Sequence, residues 1–172
     1  TAGAERVLTM DLHSAQIQGF FDIPFDHLYA SPVFVEHVKS RFPSNLVVVA
    51  PDIGSVKMAR AYATRLEAPL ALIDKRRPRH DEIDVMNVIG DVSGKNVVIF
   101  DDIISTGGTL IKAARALKER GAQKIMACVT HAVFSESAYE KLNRSDISSL
   151  AVTDTIYRDP AELAAHTDRV EI

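Results

Sequence analysis

The 172 residues carry 20 Lys and Arg against 23 Asp and Glu, a net charge of −3 at pH 7, and 47% of them are hydrophobic. Those values suit one globular domain or slightly more, and they argue against a nucleic-acid binder or a protein drawn to anionic membranes. No apolar run approaches the roughly 18 residues of a membrane span, the opening TAGAERVLTMDLH lacks a signal-peptide layout, and one cysteine, Cys128, cannot close an internal disulfide. A cytoplasmic protein with no nucleic-acid and no membrane partner is expected, with Cys128 buried as a small hydrophobe.

Along the chain, RVLTM (6–10) reads as a strand, residues 32–42 as a helix and LVVVA (46–50) as a strand. A helix over 55–66 and a strand PLALID (69–74) follow. DKRRPRHDEIDV (74–85) breaks the rhythm: it is polar, highly charged and too long for a tight turn. NVVIF (96–100) reads as a strand and residues 108–120 as a helix, stopped by Gly121 after the cations of KER. KIMACVT (124–130), a helix over 135–142, SLAVTD (149–154) and RVEI (169–172) complete the series. The strand runs are apolar at consecutive positions, as when both faces of a parallel sheet are covered. The expected fold is α/β, a mostly parallel sheet flanked by helices. Both ends of the chain lie on strand patterns, so a piece of a longer polypeptide is expected.

In open α/β sheets ligands gather beyond the carboxyl ends of the strands. Asp101, Asp102 and the loop Ser105, Thr106, Gly107, Gly108, Thr109 are expected there. The glycines allow close backbone approach, the threonines add hydroxyls, and the next helix offers unpaired N–H groups to an anion. Carboxylates repel phosphate, so the two acids suit hydroxyl groups nearby. A phosphorylated sugar meets both demands; the plainer reading is a capped turn beside a solvated acid pair. GDVSGKN (90–96) is one residue short of a phosphate-binding Walker loop and precedes a strand instead of following one. No GxGxxG occurs.

VVIFDDIISTGGTL (97–110) resembles the PRPP-binding motif of type I phosphoribosyltransferase folds. DLHSAQIQGFFDIPFD (11–26) resembles the signature of ribose-phosphate pyrophosphokinases, IDKRRPR (73–79) their catalytic loop, and PDIGSVKMAR (51–60) their metal-binding segment. Family chains are much longer. The resemblance implies that residues 1–30 end an N-terminal-type domain carrying the DLH motif. Residues 31–172 would then form the phosphoribosyltransferase-like domain that binds ribose 5-phosphate.

The same resemblance implies the site. His13 and Asp52 would serve Mg²⁺ with ATP as co-substrate; Asp52 also suits a helix cap, and the two roles are compatible. Lys75 and Arg77 would be catalytic, closing over the transferred group, and Arg77 would also touch ribose 5-phosphate. Asp101 and Asp102 would hold the ribose hydroxyls, and Ser105, Thr106, Gly107, Gly108 and Thr109 the 5-phosphate. Ser105 stands where many bacterial members have Asp, which removes any role special to that carboxylate. His131 points to the same sheet edge without a role beyond structure.

The implied activity is ribose-phosphate diphosphokinase, making PRPP and AMP from ribose 5-phosphate and ATP. A homo-oligomer, a hexamer built from dimers, is implied with it. The alternatives are a phosphoribosyltransferase that consumes PRPP, which leaves DLHSAQIQGFFD and KRRPR unexplained, and a catalytically silent subunit associated with the synthetase.

Overall fold

The computed structural model describes residues 3–76 and 85–172. Its centre is a seven-stranded sheet in the order β5-β4-β3-β6-β7-β8-β9. These strands are β3 (Leu46–Ala50), β4 (Leu70–Arg76), β5 (Val85–Ile89), β6 (Asn96–Ile104), β7 (Ile125–Ala132), β8 (Ser149–Val152) and β9 (Val170–Glu171). All neighbours run parallel except β4 and β5, which are antiparallel. A separate parallel pair joins β1 (Val7–Met10) to β2 (Phe25–Leu28), with a 3-10 helix, Ala15–Phe20, between them.

The consecutive apolar runs work as expected of a sheet covered on both faces. In β3 and β6, Val47, Val49, Val97 and Ile99 enter one core while Val48, Ala50, Val98 and Phe100 enter the other. The first core is closed by α3 (Gly108–Glu119), α4 (Glu136–Asn143) and α5 (Pro160–His166) through residues such as Leu117, Leu142 and Leu163. The second is closed by α1 (Ser31–Arg41) and α2 (Val56–Leu66) through Phe34, Val38 and Tyr62. Helix α2 buries Ala59, Tyr62, Ala63 and Leu66, the spacing of one helical face. Tyr62 stacks on Phe100 with ring centroids 3.6 Å apart; such a pair is worth about 1 kcal/mol beyond its burial. Burial drives the Tyr62 hydroxyl pKa far above its ordinary value. Cys128 is buried in the same core, as its apolar setting led one to expect, and burial raises its thiol pKa strongly.

Several boundaries differ from the sequence reading. Strand β6 runs to Ile104, so Asp101 and Asp102 lie inside the strand; main-chain pairing with β7 continues as far as Ala132 and overrides the polarity of the two acids. Strand β4 extends through Lys75, which faces Met86 of β5 in register, so the lysine stands on a hairpin stem and not on a loop. β2, β5 and α5 had no clear periodic signal, each being short. The expectation of buried strands fails for β1, whose residues are only partly buried or exposed.

The connections place the functional groups. The order reverses between β3 and β6: from β3 the chain moves outward to β4, and from β6 it moves the opposite way to β7. Such a switch point opens a crevice at the carboxyl ends of the two strands. Asp52 follows β3, and the acid pair follows the buried run 97–100 of β6.

Candidate active site

A cleft of about 700 Å³ opens at that switch point, and His13, Asp52, Lys57, Tyr62, Asp101 and Asp102 are among its walls. Four of the residues singled out by sequence therefore meet in one place. His13 arrives from the end of β1, and its Nδ1 lies 2.6 Å from Asp102 Oδ2. The His13 side chain is 84% exposed and that of Asp102 only 18%. This hydrogen bond, with the carboxylate charge behind it, raises the His13 pKa above 6.5.

Asp101 and Asp102 are locked together: the Asp102 amide donates to Asp101 Oδ1 over 3.0 Å. Burial pushes the Asp101 carboxyl up to about 6; the nearby charges of Asp102 and Asp52 add to the rise, and the amide bond opposes it. The cleft floor thus crowds carboxylates whose repulsion a cation would relieve. Asp52 closes its own loop, with Oδ1 accepting from the Ser55 amide at 2.8 Å and the Ser55 hydroxyl donating to the Asp52 carbonyl at 2.9 Å. The Asp52 carboxylate holds the turn before α2, whose N-cap is Ser55, and it also lines the cleft. Among the described residues no three His, Cys, Asp or Glu side chains form a ready metal cage. Separated carboxylates instead suit a cation that keeps most of its water and leans on substrate phosphates, as Mg²⁺ does.

The phosphate-type loop leaves β6 beside this floor. Gly107 is left-handed at φ 70° and leads directly into α3, which has no side-chain cap at its start. Only glycine takes that angle without strain. Ser105, Thr106 and Thr109 are exposed, and the Gly108 amide donates weakly to Thr106 Oγ1 at 3.4 Å. The loop is fixed from below, where the Ser105 carbonyl accepts from the Ser135 amide at 3.1 Å. Residues 105–109 do not line the cleft itself; Asp101 and Asp102, which do, precede them on β6.

Lys75 is exposed on β4. Arg77 lies outside the described residues. GDVSGKN sits at the opposite end of the sheet, where Lys95 pairs with Asp91 at 2.9 Å, which agrees with its dismissal as a phosphate loop. A second cavity of about 670 Å³ lies at that end too, against Lys39, Asn45 and Lys95, remote from the acid pair.

Sequence reasoning missed Asp11, His27 and Tyr62 as cleft residues. Asp11 at the end of β1 carried a signal, a short acid in a position to bend the chain. His27 and Tyr62 carried none, because their place follows from long-range packing.

A family model for the phosphoribosyl transferase domain matches residues 34–158. The chain belongs to that family. It is 56% identical over 157 residues to a protein of Synechococcus elongatus named ribose-phosphate pyrophosphokinase, covering 90% of this chain and 47% of that one. The phosphoribosylpyrophosphate synthetase of Mycobacterium smegmatis superposes with a TM-score of 0.87 at 35% identity, over 98% of this chain and 54% of its own. The orotate phosphoribosyltransferase of Aeropyrum pernix superposes at 0.58 and 25% identity, over 80% of this chain and 76% of its own. The chain spans about half the length of the curated relatives it matches. The fold is accordingly of the type I phosphoribosyltransferase kind, as the motif at residues 97–110 led one to expect.

Proposed function

We propose that this chain supplies the ribose 5-phosphate site and part of the ATP site of a ribose-phosphate diphosphokinase. The observation that carries the reading is the meeting of His13 with Asp102. It joins the DLH segment, which a plain phosphoribosyltransferase does not need, to the strand that presents the sugar-phosphate loop.

Loop 105–109 and the start of α3 bind the 5-phosphate through backbone N–H groups. Asp101 and Asp102, on the cleft wall just before the loop in sequence, accept hydrogen bonds from the ribose hydroxyls. The 1-hydroxyl oxygen then attacks the β-phosphorus of ATP and its proton passes to solvent; the bond from the β-phosphorus to the α-phosphate oxygen breaks, the β- and γ-phosphoryl groups pass to the sugar, and AMP leaves. His13 and Asp52 would hold Mg²⁺, a reading supported by the cleft they share and by its crowded carboxylates. When bound, that ion offsets the charge of the nucleotide phosphates. Lys75, with Arg77, supplies positive charge to the diphosphoryl group in flight, where catalysis is mainly positioning and electrostatics. The complete protein is cytoplasmic and works as a homo-oligomer, a hexamer built from dimers. Among the described residues, no helix is long and apolar enough to cross a membrane.

The test is AMP release from ATP by the full-length protein with Mg²⁺, in the presence and absence of ribose 5-phosphate. Release that requires the sugar phosphate and yields PRPP supports the assignment. PRPP consumption with a free base, and no AMP release, would replace it with transferase activity.

A further inference from the structure

The turn from Met10 to His13 is gripped from both sides by groups that the proposed chemistry leaves unused. From β7, His131 Nε2 lies 2.9 Å from the Met10 carbonyl and 3.3 Å from that of Asp11. A carbonyl can only accept, so Nε2 carries the proton. The other ring nitrogen, Nδ1, is 3.0 Å from Thr155 Oγ1. Thr130, beside it, donates to Asp11 Oδ2 at 2.7 Å, and the Ala30 amide donates to the same oxygen at 3.1 Å. From β2, His27 Nε2 accepts the Leu12 N–H at 3.0 Å.

These bonds have structural work to do. The two-stranded sheet that carries the turn is not paired with the seven-stranded sheet, so side chains, not a backbone ladder, register one against the other. Asp11 sits at φ 41°, a left-handed conformation costing about 1 kcal/mol for a residue with a Cβ. Such a bend persists where surrounding contacts over-determine it. His13 itself is too exposed to be fixed by packing. Its place over Asp102 is inherited from the turn.

We propose that His131 is a positioning residue: by holding the Met10 and Asp11 carbonyls against β7, it sets His13 on Asp102 and aligns the nucleotide side of the cleft with the sugar side. This rests on the diphosphokinase reading. His131 touches the backbone of the turn, whereas the sugar-phosphate loop is anchored separately through Ser135. Loss of the imidazole therefore acts on one half of the site.

The experiment uses the full-length protein with His131→Leu, His131→Asn and His131→Gln. Leu has no donor and Asn is too short to reach Met10, while the Gln amide can reach it. In the Leu and Asn variants kcat is expected to fall about tenfold or more, since a misplacement near 1 Å can cost roughly 100-fold. Affinity for ribose 5-phosphate stays within about twofold, and the Gln variant recovers most of the turnover. The ¹⁵N signal of the His13 ring at fixed pH moves in the Leu and Asn variants and returns in Gln. If the Leu variant does not fold, Asn against Gln decides. Parallel losses of sugar-phosphate affinity and turnover in all three variants would mark His131 as merely structural and overturn the proposal. So would an unmoved His13 signal in the Asn variant. If the wild type makes no PRPP, the diphosphokinase reading fails, and the His13 signal alone decides for or against the clamp.

Discussion

His13 and Asp102, 89 residues apart in sequence, meet at 2.6 Å through Nδ1 and Oδ2. The contact is charge-assisted when the ring is protonated, and it raises the His13 pKa from 6.5. A raised folded-state value contributes stability below pH 6.5 that is lost as pH climbs through the folded midpoint. The side chain is largely exposed, so the contribution is small and the midpoint is the better readout. In Asp102→Asn the His13 midpoint, followed by NMR, is expected to drop back toward 6.5. A midpoint that stays raised in the variant would show that the pair does not form in solution.

Asp101 follows the same sign, since its raised pKa also makes stability fall as pH climbs. Burial raises its pKa from 3.8 to about 6, aided by Asp102 and Asp52. The folded chain thus holds this proton more tightly than the unfolded chain. The resulting stability is complete below pH 3.8 and lost as pH rises through about 6. At pH 8 without divalent cations, Asp101→Asn is expected to be more stable than the wild type by about 1–3 kcal/mol, and at pH 4 the gap closes. Urea unfolding at the two pH values checks this. Millimolar Mg²⁺ should stabilise the wild type at pH 8 more than the variant; equal gains would argue against a cation among these carboxylates.

Gly107→Ala places a Cβ on a left-handed residue, 3.4 Å from Ile111 Cδ1 and 3.6 Å from Ile104 Cδ1. Expected are a loss of about 1–2 kcal/mol in stability and a clear fall in phosphate affinity as the loop shifts. Gly108→Ala would meet Thr106 Oγ1 at an ordinary 3.7 Å and should cost under about 0.5 kcal/mol. Calorimetry with inorganic phosphate separates the two variants. Equal affinity in both would remove the loop from the phosphate site.

Lys75→Ala, in the full-length protein, should lower turnover about 100-fold while leaving the KM for ribose 5-phosphate within a few-fold. The lysine stands on the stem of the β4–β5 hairpin, away from loop 105–109. A large rise in that KM at unchanged kcat would move Lys75 from the transferring group to the sugar phosphate.

Sequence alone determined the alternation of strands and helices, the parallel sheet and the glycine turn that leads into α3. Each of these is written locally, in runs of apolar residues, helical spacing and a Gly-Gly turn. Tertiary structure decided what depends on partners far along the chain. β6 continues past its two acids because β7 pairs with it there. Lys75 lies on a strand because β5 returns antiparallel beside it. His131 looked like a strand-end residue without a role, yet its ring reaches the carbonyl of Met10, 121 residues away. A hydrogen bond of that kind leaves no period in the sequence, because its geometry exists only after two separate sheets have packed together.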